Sequence, residues 1–241
     1  MSPGLAVEVP QSALAVYAHP DDPEISAGGT LAKWAGAGTD IWVLITTLGD
    51  KGSQDRNIDR ATLARTRATE TKRAAEVLGF AGTFHLDHPD SELTDDLRLR
   101  EEITRRVREL RPEVVVCQDP TAVFFGDQYY NHRDHRITGF ATLDAVAPAS
   151  GNPHYFPDQL AEGLEPHKVH TVFLSGTLEP NCWVDITDTM EAKIDALFCH
   201  ASQLTETGEW FREFLRDRAA EAGRDAGVTY AEGFRRLALS G

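Results

Sequence analysis

Short apolar, β-branched runs alternate with stretches of helical periodicity through the first half of this chain. The runs fall at residues 14–17, 41–47, 83–86 and 114–118, and the last of them, VVVCQ, has the composition of a strand buried on both faces. Such alternation is typical of βαβ units, in which a helix connects two parallel strands. We therefore predict an α/β fold, a single domain over residues 1–241 with a mostly parallel sheet flanked by helices.

The helices between these strands have recognisable ends. The first is predicted from near Ser26 to Gly36, and Asp59 is placed to cap a second helix that stops at Gly79. Pro112 ends the third. The carboxyl ends of the intervening strands should therefore meet along one edge of the sheet, where ligands bind in folds of this class.

After Asp119 the pattern is less regular. The remaining predicted elements are a helix over 134–146, strands at 171–175 and 183–186, and helices over 188–204 and 209–222. A Pro- and Gly-rich tract at 147–167 is either a lid over the site or a surface excursion.

The composition bears on the class of partner. The net charge is −14 at pH 7, which repels nucleic-acid phosphates and anionic membrane surfaces. The three cysteines have no paired spacing and indicate no disulfide framework, which favours a reducing, cytoplasmic location. No apolar run approaches the roughly 18 residues that span a bilayer. We expect a small-molecule substrate, no nucleic acid and no membrane span; a homo-oligomer is possible.

The segment AVYAHPDDPEISAGGT, residues 15–30, ends a predicted strand with a histidine and two adjacent aspartates. Adjacent carboxylates repel each other, so this arrangement indicates a bound cation or a catalytic task. His19 and Asp22 are three residues apart in a turn and can converge on one ion, while Asp21 can face the open side of that ion. Taken alone, the segment is also compatible with an Asx-type turn.

A third ligand is offered by YYNHRDHRITG, residues 129–139, where His132 and His135 are one helical turn apart with Asp134 between them. Two imidazoles and one carboxylate leave coordination positions open, as in catalytic zinc sites. Bound zinc lowers the pKa of water from 15.7 to about 7. Asp21 would accept the proton, and the histidine that is not a ligand would stabilise the oxyanion or protonate the leaving group. The pattern predicts metal-assisted hydrolysis.

The sequence gives less support to other reaction classes. The chain has no GxSxG elbow and no GxxxxGK[ST] loop, which argues against a serine hydrolase or a P-loop enzyme. Two histidines and a carboxylate also form the facial triad of iron(II) oxygenases, although that chemistry normally occurs in all-β folds. A protein that binds a sugar conjugate without turnover is a further alternative. Nitrogen and oxygen ligands accept Zn²⁺, Fe²⁺ or Co²⁺.

With both motifs in place, the sequence resembles the LmbE-like, or PIG-L, family of zinc-dependent N-deacetylases over most of its length. The matching segments are AHPDDPEISAGGTLA (18–32), RATETKRAAEVLG (67–79), LDHPDSEL (86–93), NHRDHRITG (131–139) and KIDALFCHASQ (193–203). The resemblance implies a Rossmann-like domain that uses Zn²⁺ to remove an N-acyl group, most readily N-acetyl, from a 2-amino sugar or its conjugate.

The resemblance also implies individual roles. The implied zinc ligands are His19, Asp22 and His135; the general base is Asp21; the oxyanion-stabilising acid is His132; Asp134 orients a histidine; and the substrate-binding residues are Arg67, Asp90 and Tyr130. Arg67 is alternatively a surface residue that pairs with Glu70.

Two departures from the family pattern concern residues beside the ligands. Pro23 separates Asp22 from Glu24, which leaves the role of Glu24 open, and Arg133 replaces a proline that is common inside the second motif. Neither departure removes an expected ligand.

Overall fold

The computed structural model describes residues 4–204 and 208–239. Ten strands lie within this part of the chain: β1 (Gly4–Leu5), β2 (Ser12–Tyr17), β3 (Asp40–Thr47), β4 (Gly82–His88), β5 (Val114–Gln118), β6 (Phe124–Phe125), β7 (Tyr129–Tyr130), β8 (Thr171–Ser175), β9 (Cys182–Asp185) and β10 (Ala231–Ala238). Eight of them form one sheet in the order β1-β9-β10-β8-β5-β2-β3-β4, and β6 and β7 pair separately as a hairpin.

The sheet is mostly parallel, so the predicted fold class is confirmed. Strands β8, β5, β2, β3 and β4 are parallel neighbours, whereas β10 is antiparallel to both β8 and β9. The chain places β3 on one side of β2 and β5 on the other. The order of the strands therefore reverses between β2 and β5, and this reversal opens a crevice at their carboxyl ends.

Helices cover both faces of this sheet. They are α1 (Asp22–Gly36), α2 (Arg60–Leu78), α3 (Leu97–Leu110), α4 (Arg133–Asp144), α5 (Pro157–Ala161), α6 (Met190–Leu197), α7 (Ala201–Leu204) and α8 (Gly208–Ala226). Alternate residues of β2 enter opposite apolar clusters: Ala13, Ala15 and Tyr17 pack on one face, and Leu14 and Val16 on the other. Both faces of β2 are consequently buried, which explains its continuous apolar run. No helix of the described residues is both long and apolar enough to cross a bilayer.

Local signals placed most helix ends correctly. Asp59 accepts a hydrogen bond from the amide of Thr62, and Gly79 takes the left-handed conformation with φ of 74°, as predicted for the two ends of α2. The prediction for α1 was wrong, since the helix begins at Asp22 and not near Ser26. Pro23 lies in its first turn, where a missing N–H is tolerated.

The second half of the chain contains larger differences. The helix predicted over 188–204 is broken into a 3₁₀ turn (Thr187–Thr189), α6 and α7. Between α6 and α7 the amide of His200 donates to the carbonyl of Leu197, three residues back, which closes the helix. Strand β10 was not predicted, because AEGFRRLA lacks an apolar alternation strong enough to mark a strand.

The tract at 147–167 is anchored by one buried arginine. Arg108 of α3 is 2 % exposed. Its Nη2 donates to the carbonyls of Ala149, Asn152 and Tyr155, each at 3.0 Å. Because the guanidinium supplies these carbonyls with hydrogen-bond donors in place of water, the backbone of the tract is fixed in one path over α3.

The tract also contacts the amino end of the sheet. His167 Nε2 lies 2.8 Å from the carbonyl oxygen of Pro112, which precedes β5. The carboxyl ends, where a lid would close, are at the opposite edge. These contacts favour the surface excursion over the lid.

We expect Arg108→Met to lower the free energy of unfolding by about 3 kcal/mol or more, because it leaves several buried carbonyls without a donor. Urea unfolding measures this change. Arg105→Met is the matched control on the same helix: Arg105 pairs with Glu162 at the surface, with 29 % of its side chain exposed, so its loss should cost less than about 1 kcal/mol. Equal losses in the two variants would contradict the anchoring role.

Candidate active site

Four loops that follow the carboxyl ends of parallel strands converge on one site. The turn after β2 supplies His19–Asp22, of which Asp22 begins α1, and the loop after β3 supplies Gly49 and Asp50. The loop after β4 supplies Asp90 and Ser91, and the longer connection after β5 leads into residues 131–135, the last three of which begin α4. The predicted site residues are thus brought together by topology from positions more than a hundred residues apart.

Three side chains form a tight triangle of donor atoms. His19 Nδ1 is 3.1 Å from His135 Nε2 and 3.3 Å from Asp22 Oδ2, and His135 Nε2 is 3.2 Å from Asp22 Oδ1. Tetrahedral bonds of the length that zinc forms place donor atoms about 3.3–3.6 Å apart. The donor set His19, Asp22 and His135 therefore fits a divalent cation in both chemistry and spacing.

The outward nitrogen of each histidine is held by a further acceptor. His135 Nδ1 donates to Asn131 Oδ1 at 2.9 Å, so its Nε2 lone pair points into the triangle. Asn131 is itself fixed, because its Nδ2 donates to the carbonyl of Ala122 at 2.8 Å. The sequence reasoning missed Asn131. The available signal was an amide side chain four residues before a proposed ligand.

His19 is oriented by two carboxylates. Its Nε2 lies 3.4 Å from Asp90 Oδ1 and 3.5 Å from Asp134 Oδ2. Asp134 is fully buried, and its Oδ2 also accepts from the amide of Ser91 at 2.7 Å. Asp134 thus lies closer to His19 than to His132, whose Nδ1 is 3.9 Å away.

His132 lies beside the triangle and caps α4. Its Nδ1 accepts from the amide of Asp134 at 3.3 Å, so the neutral ring carries its hydrogen on Nε2. Burial, together with the neighbouring His19, lowers the pKa of His132, which keeps the ring neutral near pH 7. Nε2 lies 3.3 Å from Ser91 Oγ, and 37 % of the side chain is exposed. His132 therefore presents an N–H donor to the site.

Asp21 stands outside the triangle and is held by an arginine. Its Oδ1 accepts from Arg67 Nη2 at 3.1 Å, and Arg67 Nη1 donates to the carbonyl of Gly49 at 2.9 Å. Arg67 is 3 % exposed, so the surface interpretation of this residue was wrong. Glu70, its alternative partner, instead accepts from Ser202.

Tyr130 lies on the short hairpin that precedes Asn131. It is 56 % exposed, and its hydroxyl accepts a hydrogen bond from Arg136. In the sequence, Tyr130 directly precedes Asn131 and His132 of the site. Among the described residues, no hydrogen bond or ring contact joins Tyr130 to His19, Asp22 or His135.

Glu24, whose role the sequence left open, is bonded to a residue outside the triangle. Its Oε2 lies 3.2 Å from His200 Nε2, and both residues are buried, at 1 % and 0 % exposure. Burial raises the pKa of Glu24, and the hydrogen bond from His200 partly offsets that effect. Glu24 thus connects the first turn of α1, two residues after Asp22, to the segment between α6 and α7.

Comparison with known proteins adds independent findings. Residues 14–146 match the family model described as PIG-L, GlcNAc-PI de-N-acetylase. The diacetylchitobiose deacetylase of Thermococcus kodakarensis is 38 % identical over 223 residues, which cover 92 % of this chain and 81 % of that protein.

Two solved structures share the fold. The N,N'-diacetylchitobiose deacetylase from Pyrococcus horikoshii superposes with a TM-score of 0.88 and 34 % identity, over 95 % of this chain and 84 % of that one. A 4-carboxy-2-hydroxymuconate hydratase from Pseudomonas putida superposes with a TM-score of 0.78 over 96 % of this chain and 98 % of that one. At 23 % identity the second likeness shows the fold alone, so the reaction has to be argued from the side chains of the site.

Proposed function

This chain belongs to the PIG-L family, and from that premise we propose that it is a metal-dependent hydrolase that removes an N-acyl group, most readily N-acetyl, from a 2-amino sugar or its conjugate. The observation that carries the proposal is the triangle of His19, Asp22 and His135, with donor atoms 3.1–3.3 Å apart, beside a carboxylate that is not part of it. A catalytic metal site needs both features, namely an incomplete ligand set and a nearby proton acceptor.

His19, Asp22 and His135 would hold the cation, which supplies a Lewis acid for the acyl oxygen and lowers the pKa of water. Asp21 takes the proton from the attacking water, and Arg67 holds its carboxylate at 3.1 Å. His132 donates a hydrogen bond from Nε2 to the oxygen of the tetrahedral intermediate, and the proton that Asp21 has taken up passes to the departing amine. Asn131, Asp90 and Asp134 keep the two ligand histidines in the tautomer and orientation that this arrangement requires.

For the metal we propose Zn²⁺, with Fe²⁺ or Co²⁺ as possible substitutes, because the donor set consists of two imidazoles and one carboxylate. For the substrate we propose contacts from Arg67, Asp90 and Tyr130, of which Tyr130 is the most exposed. A small-molecule amino sugar agrees with the net charge of −14, which disfavours polyanionic partners.

The catalytic domain, in our proposal, extends over residues 1–241 and thus beyond the matched segment 14–146. Strands β8, β9 and β10 support this extension, because they complete the same sheet that carries the site.

The test is acetate release from a panel of N-acetylglucosamine compounds that includes N,N'-diacetylchitobiose, with protein stripped of metal and then reconstituted with one equivalent of Zn²⁺. We expect stripped protein to be at least about 100-fold less active and zinc to restore the rate. Equal activity with and without metal would contradict the proposal. Tight sugar binding without acetate release would favour a binding protein, and oxygen consumption with Fe²⁺ would favour an oxygenase.

A further inference from the structure

Residues 200–203, at the start of α7, are bonded to the helix that carries Arg67. Glu70 lies one turn after Arg67 on α2 and is 5 % exposed. It accepts two hydrogen bonds from Ser202, from the amide at 2.8 Å and from the hydroxyl at 2.6 Å. A buried carboxylate with two donors is held firmly, so this pair fixes the rotation of α2 and with it the direction of Arg67.

The same segment is bonded to the loop that surrounds the Arg67 guanidinium. Gln203 Nε2 donates to the carbonyl of Gly52 at 3.0 Å. A Cβ placed on Gly49 or on Gly52 would lie 2.6 Å from Arg67 Nη1, so the guanidinium rests directly against the backbone of both glycines. The backbone of Gly49 and Gly52 thus forms a glycine cradle for the Arg67 guanidinium. Gln203 supports this cradle through its hydrogen bond to Gly52.

The Glu24–His200 hydrogen bond completes this connection at the start of α1, close to Asp21. His200, Ser202 and Gln203 thus bond to three segments around the Asp21–Arg67 pair, namely the start of α1, the helix α2 and the loop after β3. Residues with a purely structural role would have no reason to bond to the segments around Asp21 and Arg67. The bonds of His200, Ser202 and Gln203 end instead on Glu24, Glu70 and Gly52, which lie on the segments that carry or surround this ion pair.

We propose that His200, Ser202 and Gln203 are positioning residues for the Asp21–Arg67 pair. They act through Arg67, which they hold in its glycine cradle, and Arg67 in turn fixes the carboxylate that accepts the proton. The inference rests on the proposed function for its effect on turnover, but the connection from Gln203 to Arg67 is measurable without any substrate.

The test is a double-mutant cycle between Gln203→Met, which keeps the size of the side chain and removes its donor, and Arg67→Ala. Gln203→Met alone should lower kcat for acetate release about 10-fold and change KM less than about 2-fold. In the Arg67→Ala background the same change should lower kcat by less than about 2-fold, because the positioned group is gone. An equal loss in both backgrounds would overturn the proposal, since a general structural role is independent of Arg67.

Further variants distinguish the proposed positioning role from a general folding defect. Gly52→Ala places a Cβ 2.6 Å from Arg67 Nη1 and 2.8 Å from Gln203 Oε1, so it should lower kcat in the same way, and Arg67→Ala should again mask that loss. Ser202→Thr, which retains the hydroxyl, should restore what Ser202→Ala loses. Gln11→Met, at the exposed amino end of β2, and Gly36→Ala, where a Cβ would meet nothing within 4 Å, should leave kcat unchanged. A uniform loss across test and control variants would overturn the inference.

A substrate-free readout separates this inference from the proposed function. In urea unfolding the Gln203→Met and Arg67→Ala midpoint shifts should be less than additive, since both variants release the same cradle. Additive shifts would overturn the connection. If wild-type protein releases no acetate from any sugar, the proposed function fails, while the urea cycle still decides whether the connection exists.

Discussion

Replacing Asp21 with asparagine should lower kcat for acetate release by about 10³-fold while the bound metal stays in place. Asparagine keeps an oxygen that can accept from Arg67 Nη2, now 3.1 Å from Asp21 Oδ1, so the local geometry should survive. It cannot take up a proton, which is the step assigned to Asp21. The triangle of donor atoms does not include this residue, so metal binding should be unaffected.

Steady-state kinetics on the zinc-loaded protein, together with metal analysis of the same sample, measure both parts of this expectation. Asp40→Asn is the matched control, because Asp40 is exposed at the amino end of β3, at the opposite edge of the sheet. Full activity in Asp21→Asn would remove Asp21 from the mechanism. Loss of the metal along with the activity would instead make Asp21 a ligand.

The parts of this molecule that sequence reasoning predicted are those set by local rules. Strands β5 and β8 were predicted at their observed bounds, because a short β-branched run between turn signals has few alternatives. The two motifs could be assigned to one site because parallel strands present their carboxyl ends at a common edge. No distance was needed for that conclusion, only the fold class.

The parts that were missed depend on tertiary partners. Glu24 and His200 are 176 residues apart, and nothing in either local sequence indicates that they meet. Arg67 was predicted as a site residue, but its burial was not, since an arginine three residues before a glutamate on a helix can equally form a surface ion pair. Burial against two glycines overrides that pattern here, and the packing of α2 on the loop after β3 had to be known first.

The most discriminating test of the ligand set compares His135 with His132. The donor atoms of His19, His132 and His135 lie within 4.8 Å of one another, so three histidines are a conceivable site. Asp22 fits more closely, at 3.2 Å from His135 and 3.3 Å from His19. We expect His135→Ala to lower metal affinity at least about 10³-fold and to abolish measurable turnover, because it removes one of only three protein ligands.

His132→Ala should behave differently, although the same side chain is removed three residues away. We expect it to retain about one equivalent of metal and to lose about 10²-fold in kcat, because His132 donates to the reacting oxygen and binds no cation in this assignment. Metal content per chain after extensive dialysis, measured beside kcat, separates the two variants. If His132→Ala also loses its metal, the site is built from three histidines, and Asp22 serves to hold His19 through its 2.7 Å bond from the His19 amide.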